Sequence, residues 1–348
     1  MSDLSKIHPW NEHIWQHLTT SHERTNHALL FNGNHGLGKK DLAISFAHYL
    51  LCQNHGQSEH LFNAASHPDL HILMPEVLAQ EYQEQDHLYG KFALRYLEDH
   101  SGKPKRVITI DQIRKLGAAL TTHPHLSPIR VILIIDAHKL NINAANAILK
   151  NLEEPPANTL FILVSDELSK LSKTIRSRCS LINFRAPSEQ IAKTWLTEQN
   201  EMPTSDIEKC LAMSNGHPLH AIKLFKQNHI EALKTVFIDV NKLWSREIDP
   251  VEAAQNWHKI GPLLAIDILQ KLVIDLLRNK LSNSQMPNKL LFYPVQERWV
   301  KSTSDKLAKT ELLNMIDELN YAKRMLSTTV DELLVLETVS NRLRLLPI

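Results

Sequence analysis

The chain has 348 residues, 43% hydrophobic and 22% charged, and its 39 basic and 38 acidic side chains leave a net charge of +1. Such a composition supplies core enough for two or three domains. The charge balance excludes an electrostatic nucleic-acid clamp acting alone, which needs a clear basic excess. Three widely spaced cysteines, Cys52, Cys179 and Cys210, form no disulfide framework and fit a reducing compartment. The opening segment MSDLSKIHPW has no apolar signal core, and no run approaches the roughly 20 apolar residues of a membrane span. The expected location is the cytoplasm, with no membrane partner.

The first half alternates strand and helix signals. Ala28–Phe31 is a short apolar run ending in a glycine-rich turn, and helical spacing follows over Asp41–Leu51. Residues 71–74 read as a strand, and the polar stretch 76–105 as an insertion. Val107–Ile110 reads as a strand, with Asp111 capping a helix from Gln112. Arg130–Ile135 and Leu160–Val164 are continuous apolar runs, as expected of strands buried on both faces of a parallel sheet. Between them, Ala144–Leu152 is helical and stops at Glu153-Glu154-Pro155-Pro156, where two prolines forbid continuation. Repeated β-then-α units predict a doubly wound α/β domain. After Phe184 the strand signals fade. Pro187–Glu198 and Asp206–Met213 read as amphipathic helices, and from about residue 229 apolar residues recur at helical spacing, notably over Leu263–Leu277 and Leu312–Leu346. The expected domains are α/β over 1–185, small helical over 186–228 and helical over 229–348.

Residues Gly33-Asn34-His35-Gly36-Leu37-Gly38-Lys39-Lys40 follow a strand and open a helix, the setting of a phosphate-binding loop. Gly33, Gly36 and Gly38 let backbone amides wrap an anion, and Lys39 can reach the outer phosphates. The next position should carry a hydroxyl to hold magnesium. It carries Lys40, whose ammonium cannot ligate a dication and repels one. Asp136 ends the Arg130–Ile135 run, where a magnesium-coordinating acid is expected. The following residue, which should be a water-orienting glutamate, is Ala137. Three readings stand: a degenerate nucleotide site, residual nucleotide binding, and a glycine turn without function.

Thr174-Ile175-Arg176-Ser177-Arg178-Cys179 closes the α/β domain, and its Ser-Arg-Cys triplet makes a specific resemblance. The chain resembles bacterial DNA polymerase III clamp-loader subunits of the AAA+ superfamily. Asp136–Ser165, His67-Pro68-Asp69, Asp111-Gln112-Ile113-Arg114 and His8-Pro9-Trp10 add to it, over residues 8 to about 225. The resemblance implies a small helical lid and a C-terminal helical collar after the α/β domain. It also implies that Arg178 is an arginine finger, delivered in trans to a neighbouring subunit's ATP site. A sensor arginine of active relatives is matched at about Leu219, after Asn215-Gly216. With hydroxyl, base and sensor absent, the resemblance points to the non-hydrolysing stator type, and an active ATPase motor subunit is the alternative. The implied partners are the motor ATPase and delta subunits of a hetero-pentamer, and, through the complex, the sliding clamp and primer-template DNA. No intrinsic ATPase and no cofactor are expected, the chain being a component of a DNA-directed DNA polymerase holoenzyme. The family's zinc module would begin at Cys52, but only His55, His60 and His67 lie near it, and Cys52 is read as a buried apolar residue.

Overall fold

In a computed structural model, residues 7–21, 26–53, 56–97, 103–282, 291–293, 296–326, 328 and 330–346 are described. The chain divides into two compact units, Met1–Ala186 and Pro187–Ile348. The first is built on a sheet of five strands: β1 (Ala28–Asn32), β2 (Leu70–Leu73), β3 (Arg130–Ile135), β4 (Thr159–Ser165) and β5 (Ser180–Asn183). Their order is β2-β3-β4-β1-β5, every neighbour parallel.

Alternation of side chains along each strand divides the core between the two faces of the sheet. Leu29, Phe31, Val131, Leu133, Ile135, Leu160, Ile162 and Val164 bury into one layer, with helices Glu12–Ser21 and Lys39–Leu51. Ala28, Leu30, Ile132, Ile134, Phe161 and Leu163 bury into the other, against helices Ile110–Leu120 and Ile142–Glu153. Two covered faces explain why β3 and β4 read as unbroken apolar runs. The doubly wound α/β domain expected from the sequence is present, and helices follow it.

Two local expectations are corrected. Residues 107–110 form no strand: Ile108 makes a single parallel bridge to Leu140. Thr109, not Asp111, caps the next helix, which begins at Ile110; its capping box is closed when the Thr109 N–H donates to Gln112 Oε1 at 2.9 Å. The polar stretch from residue 76 is helical in two pieces, Glu76–Glu84 and Leu88–Ala93.

The second unit is helical among its described residues. Helices Glu189–Gln199, Thr204–Met213, Pro218–Lys226, His229–Trp244, Pro250–Ile260, Pro262–Leu281, Glu297–Lys306, Lys309–Met325 and Glu332–Arg344 run in sequence. Trp257, fully buried, is the largest side chain in a core that reaches from Met213 and Leu224 to Leu343. No described helix is long and apolar enough to cross a membrane.

Candidate functional site

Parallel strands gather the loops that follow them at one end of the sheet, where ligands of such folds bind. The loop after β1 is the glycine-rich segment. Gly33, Gly36 and Gly38 all take positive φ, at 153°, 82° and 77°. At Gly38 the requirement is also one of space: a Cβ there would lie 2.4 Å from the His8 ring. That ring belongs to an N-terminal segment seated on the loop. Trp10 Nε1 and Asn11 Nδ2 donate to the Leu37 carbonyl at 3.0 and 2.8 Å, and His8 Nε2 lies 2.8 Å from Asp41 Oδ2.

Both lysines of the loop are engaged internally. Lys39, with its side chain only 2% exposed, donates to Asn34 O at 2.7 Å and pairs with Asp166 Oδ1 at 2.7 Å. Burial lowers its pKa despite that partner. Asp166 also faces His35 Nδ1 at 3.2 Å. Burial pushes its carboxyl up, but His35 and Lys39 outweigh this and hold it well below the carboxylate range. Asp166 directly follows β4, the same station that Asp136 holds after β3.

Lys40 reaches across to Asp136, Nζ to Oδ1 at 3.0 Å, with side chains 17% and 9% exposed. Lys139 Nζ donates to the other carboxylate oxygen at 2.9 Å. Burial alone would raise the Asp136 carboxyl; Lys40 and Lys139 overcome it and hold the pKa below its ordinary value. Burial opposes the Lys40 charge too, yet Tyr82 and Asp136 raise its pKa. The Lys40 ammonium thus covers one oxygen of the strand-end acid while Lys139 holds the other. Asp136 takes left-handed backbone, φ 55°, at the start of the short 3-10 turn Ala137–Lys139. Ala137 is fully buried in the apolar layer below, so no carboxylate orients water from that position.

Arg178 lies outside this cluster of charges, capping helix Lys173–Ser177. Nη1 donates to Thr174 O at 3.0 Å and Nη2 pairs with Glu153 Oε1 at 2.7 Å. Its side chain is 34% exposed and borders an open recess of about 540 Å³ with Asn26, His27, Leu152, Glu153 and Ser177. Leu219 lies half-buried in the first turn of helix Pro218–Lys226, an apolar group with no means of reading phosphate.

Around the cysteines, His48, Cys52 and Glu59 bring ligand atoms within 4.8 Å of one another. His48 Nε2 lies 2.9 Å from Glu59 Oε2, and burial together with Glu59 pushes the Cys52 thiol up to about 12. His67 serves the fold instead: its Nδ1 accepts the Asp69 N–H at 3.2 Å, beside Ser127 Oγ at 3.3 Å from Nε2. His55 lies outside the described residues. Burial raises Cys179 and Cys210 to about 11, leaving both thiols protonated and inert.

The structure brings Gly33, Gly36, Gly38, Lys39, Lys40 and Asp136 together at the strand ends, and sets Arg178 apart. Sequence reasoning missed Asp166, which binds Lys39; its position after an apolar strand was the available signal.

The fold and this site define a doubly wound α/β domain with a glycine-rich loop whose lysines are matched by its own strand-end acids. The family described as DNA polymerase III, delta subunit, matches residues 10–188, just over half of the chain. A protein named DNA polymerase III subunit delta' from Pseudomonas aeruginosa is 29% identical over 291 residues, covering 81% of this chain and 80% of that one. Its namesake from Escherichia coli is 32% identical over 239 residues, covering 66% and 64%. Among solved structures, a DNA polymerase III gamma subunit-related protein of Thermotoga maritima aligns with TM-score 0.46 and 18% identity, over 95% of this chain and 98% of that one. The chain belongs to the DNA polymerase III delta subunit family.

Proposed function

We propose that this chain is a non-hydrolysing stator of a DNA polymerase III clamp loader, assisting a neighbouring ATPase that loads the sliding clamp onto primed DNA. The observation that carries this reading is the Lys40–Asp136 pair, 3.0 Å long at the metal position of the loop. A magnesium ion would have to displace a buried ammonium from its carboxylate, and Ala137 offers no base to orient the attacking water. A motor subunit needs both groups.

In this reading Arg178 is the chain's chemical contribution, made to the neighbour. Its hold on Glu153 is a half-exposed ion pair, worth about 0.2–1 kcal/mol. A finger acting on a γ-phosphate contributes on the order of 10³-fold in rate, about 4 kcal/mol. The pair with Glu153 is therefore weak enough to be given up at small cost when a neighbour offers a phosphate. The lid (186–228) and collar (229–348) belong to the same reading, the collar joining the chain to the motor and delta subunits of the pentamer.

The test is Arg178→Ala in the reconstituted loader, with phosphate release measured in the presence of clamp and primed DNA. Turnover at the affected site falls on the order of 10³-fold while the complex still assembles. Unchanged turnover in an assembled complex would remove Arg178 from the reaction.

A further inference from the structure

The excursion between β2 and the helix Ile110–Leu120 plays no part in the reading above, yet it packs on the phosphate loop. Its two ends are clasped: the Val77 N–H donates to Lys105 O at 3.2 Å, and the Lys105 N–H donates to Glu76 Oε2 at 2.9 Å. Between them Ala79, Leu88, Tyr89, Phe92 and Ala93 are buried in the same core layer as helix Lys39–Leu51. Phe92 meets Phe62 edge-on at 5.9 Å, and the Arg95 guanidinium covers its ring while donating to Ala65 O and His67 O at 2.7 and 3.1 Å. Helices Glu76–Glu84 and Leu88–Ala93 cross at Gly90, where a Cβ would stand 2.5 Å from the Gln83 nitrogen.

This anchoring aims one side chain at the loop. Tyr82 places its ring 5.9 Å from Lys40 Nζ, the cation lying over the aromatic face. Asp41 and Asp136 also act electrostatically on its hydroxyl. Behind it, Tyr82 is braced by His87 and Tyr89, with ring centroids at 5.1 and 5.3 Å, and those two stack at 4.5 Å. The loop position that would hold a metal is therefore closed twice, by Lys40 from within and by an aromatic roof from outside.

We propose that the segment 76–97 is an internal plug of the phosphate loop, in which Tyr82 roofs Lys40 and excludes a metal–nucleotide from the loop independently of that lysine. The proposal rests on the stator reading and adds a second lock to it. Restoring the missing hydroxyl would then not reopen the site by itself; the ring must go as well.

The experiment is calorimetric titration of MgADP into the full-length wild type, Lys40→Thr, Lys40→Thr/Tyr82→Ala and Lys40→Thr/Tyr82→Phe, each first checked by circular dichroism. MgADP binds the Tyr82→Ala double variant at least ten-fold more tightly than Lys40→Thr, and the Tyr82→Phe double variant, which keeps the ring, matches Lys40→Thr. Equal affinity of Lys40→Thr and the Tyr82→Ala double variant, at whatever level, overturns the plug. If the Tyr82→Ala double variant does not fold, tight binding by Lys40→Thr or by the Tyr82→Phe double variant overturns it equally, and Tyr82→Ser replaces it in the comparison. Tight MgATP binding with turnover by the wild type would instead defeat the stator reading itself.

Discussion

Replacing Lys40 by methionine keeps the length of the side chain and removes the cation that faces Asp136. The carboxylate, 9% exposed, would retain only Lys139 at 2.9 Å, whose own side chain is 42% exposed. Breaking a buried pair by deleting one partner costs about 3–5 kcal/mol. The remaining lysine offsets part of that, so the expected loss is about 2–3 kcal/mol, or roughly 4–12 °C in the melting temperature of a unit this size. The pH dependence has a defined sign. Asp136 is held below its ordinary pKa, so its stabilisation is full above the unfolded value near 4 and disappears as pH falls through the folded one. Lys40 is raised above 10.5, so on the alkaline side the pair persists until pH passes the folded value. Urea denaturation of wild type and Lys40→Met at pH 7 and in acid compares the pair with and without its carboxylate charge. The gap should be 2–3 kcal/mol at neutral pH and shrink in acid. A second substitution, Asp136→Asn, should recover most of the loss. Equal stability at pH 7, or a gap indifferent to Asp136→Asn, would refute the view that Lys40 serves as the cation of this site.

Other outcomes follow from the second unit. Burial raises Asp275 to about 6 although it accepts the Phe292 and Tyr293 N–H groups at 3.0 and 3.1 Å. Its contribution is full below the unfolded value near 4 and is lost as pH rises through 6, about 2–3 kcal/mol in all. Denaturation of wild type and Asp275→Asn from pH 4 to 7 should show that slope in the wild type and its absence in the variant. Trp257→Ala empties a fully buried site and should cost about 3–5 kcal/mol in a chemical melt, with Trp257→Phe well below that.

Much of the α/β unit was legible because burial on two faces imposes a plain signature. β3 and β4, wholly buried, appear as the apolar runs Arg130–Ile135 and Leu160–Val164. The edge strand Ser180–Asn183, paired among the described strands with β1 alone, leaves Leu181 exposed and carries no such run, so it did not stand out as a strand of its own. At 107–110 the β-branched residues suggested a strand, but Thr109 and Gln112 close a capping box and turn the chain into a helix. Charged residues around Tyr89 and Phe92 masked two helices whose apolar sides are buried.

For the site, the glycine loop, Lys39, Lys40 and Asp136 were readable because their spacing within β-turn-α units is local. Their pairings were not. Lys39 meets Asp166, Lys40 meets Asp136 and Tyr82, and Arg178 meets Glu153, all through the folding of distant segments onto one end of the sheet or one edge of a helix. A sequence supplies the charges; the strand order β2-β3-β4-β1-β5 decides which of them meet.

The stator account is tested most directly by titrating MgATP into the purified full-length chain, with phosphate release followed in the same sample. The account predicts no turnover and weak or no binding, because Lys40 and Asp136 already satisfy one another. Steady phosphate release would contradict it and make the chain a motor in its own right.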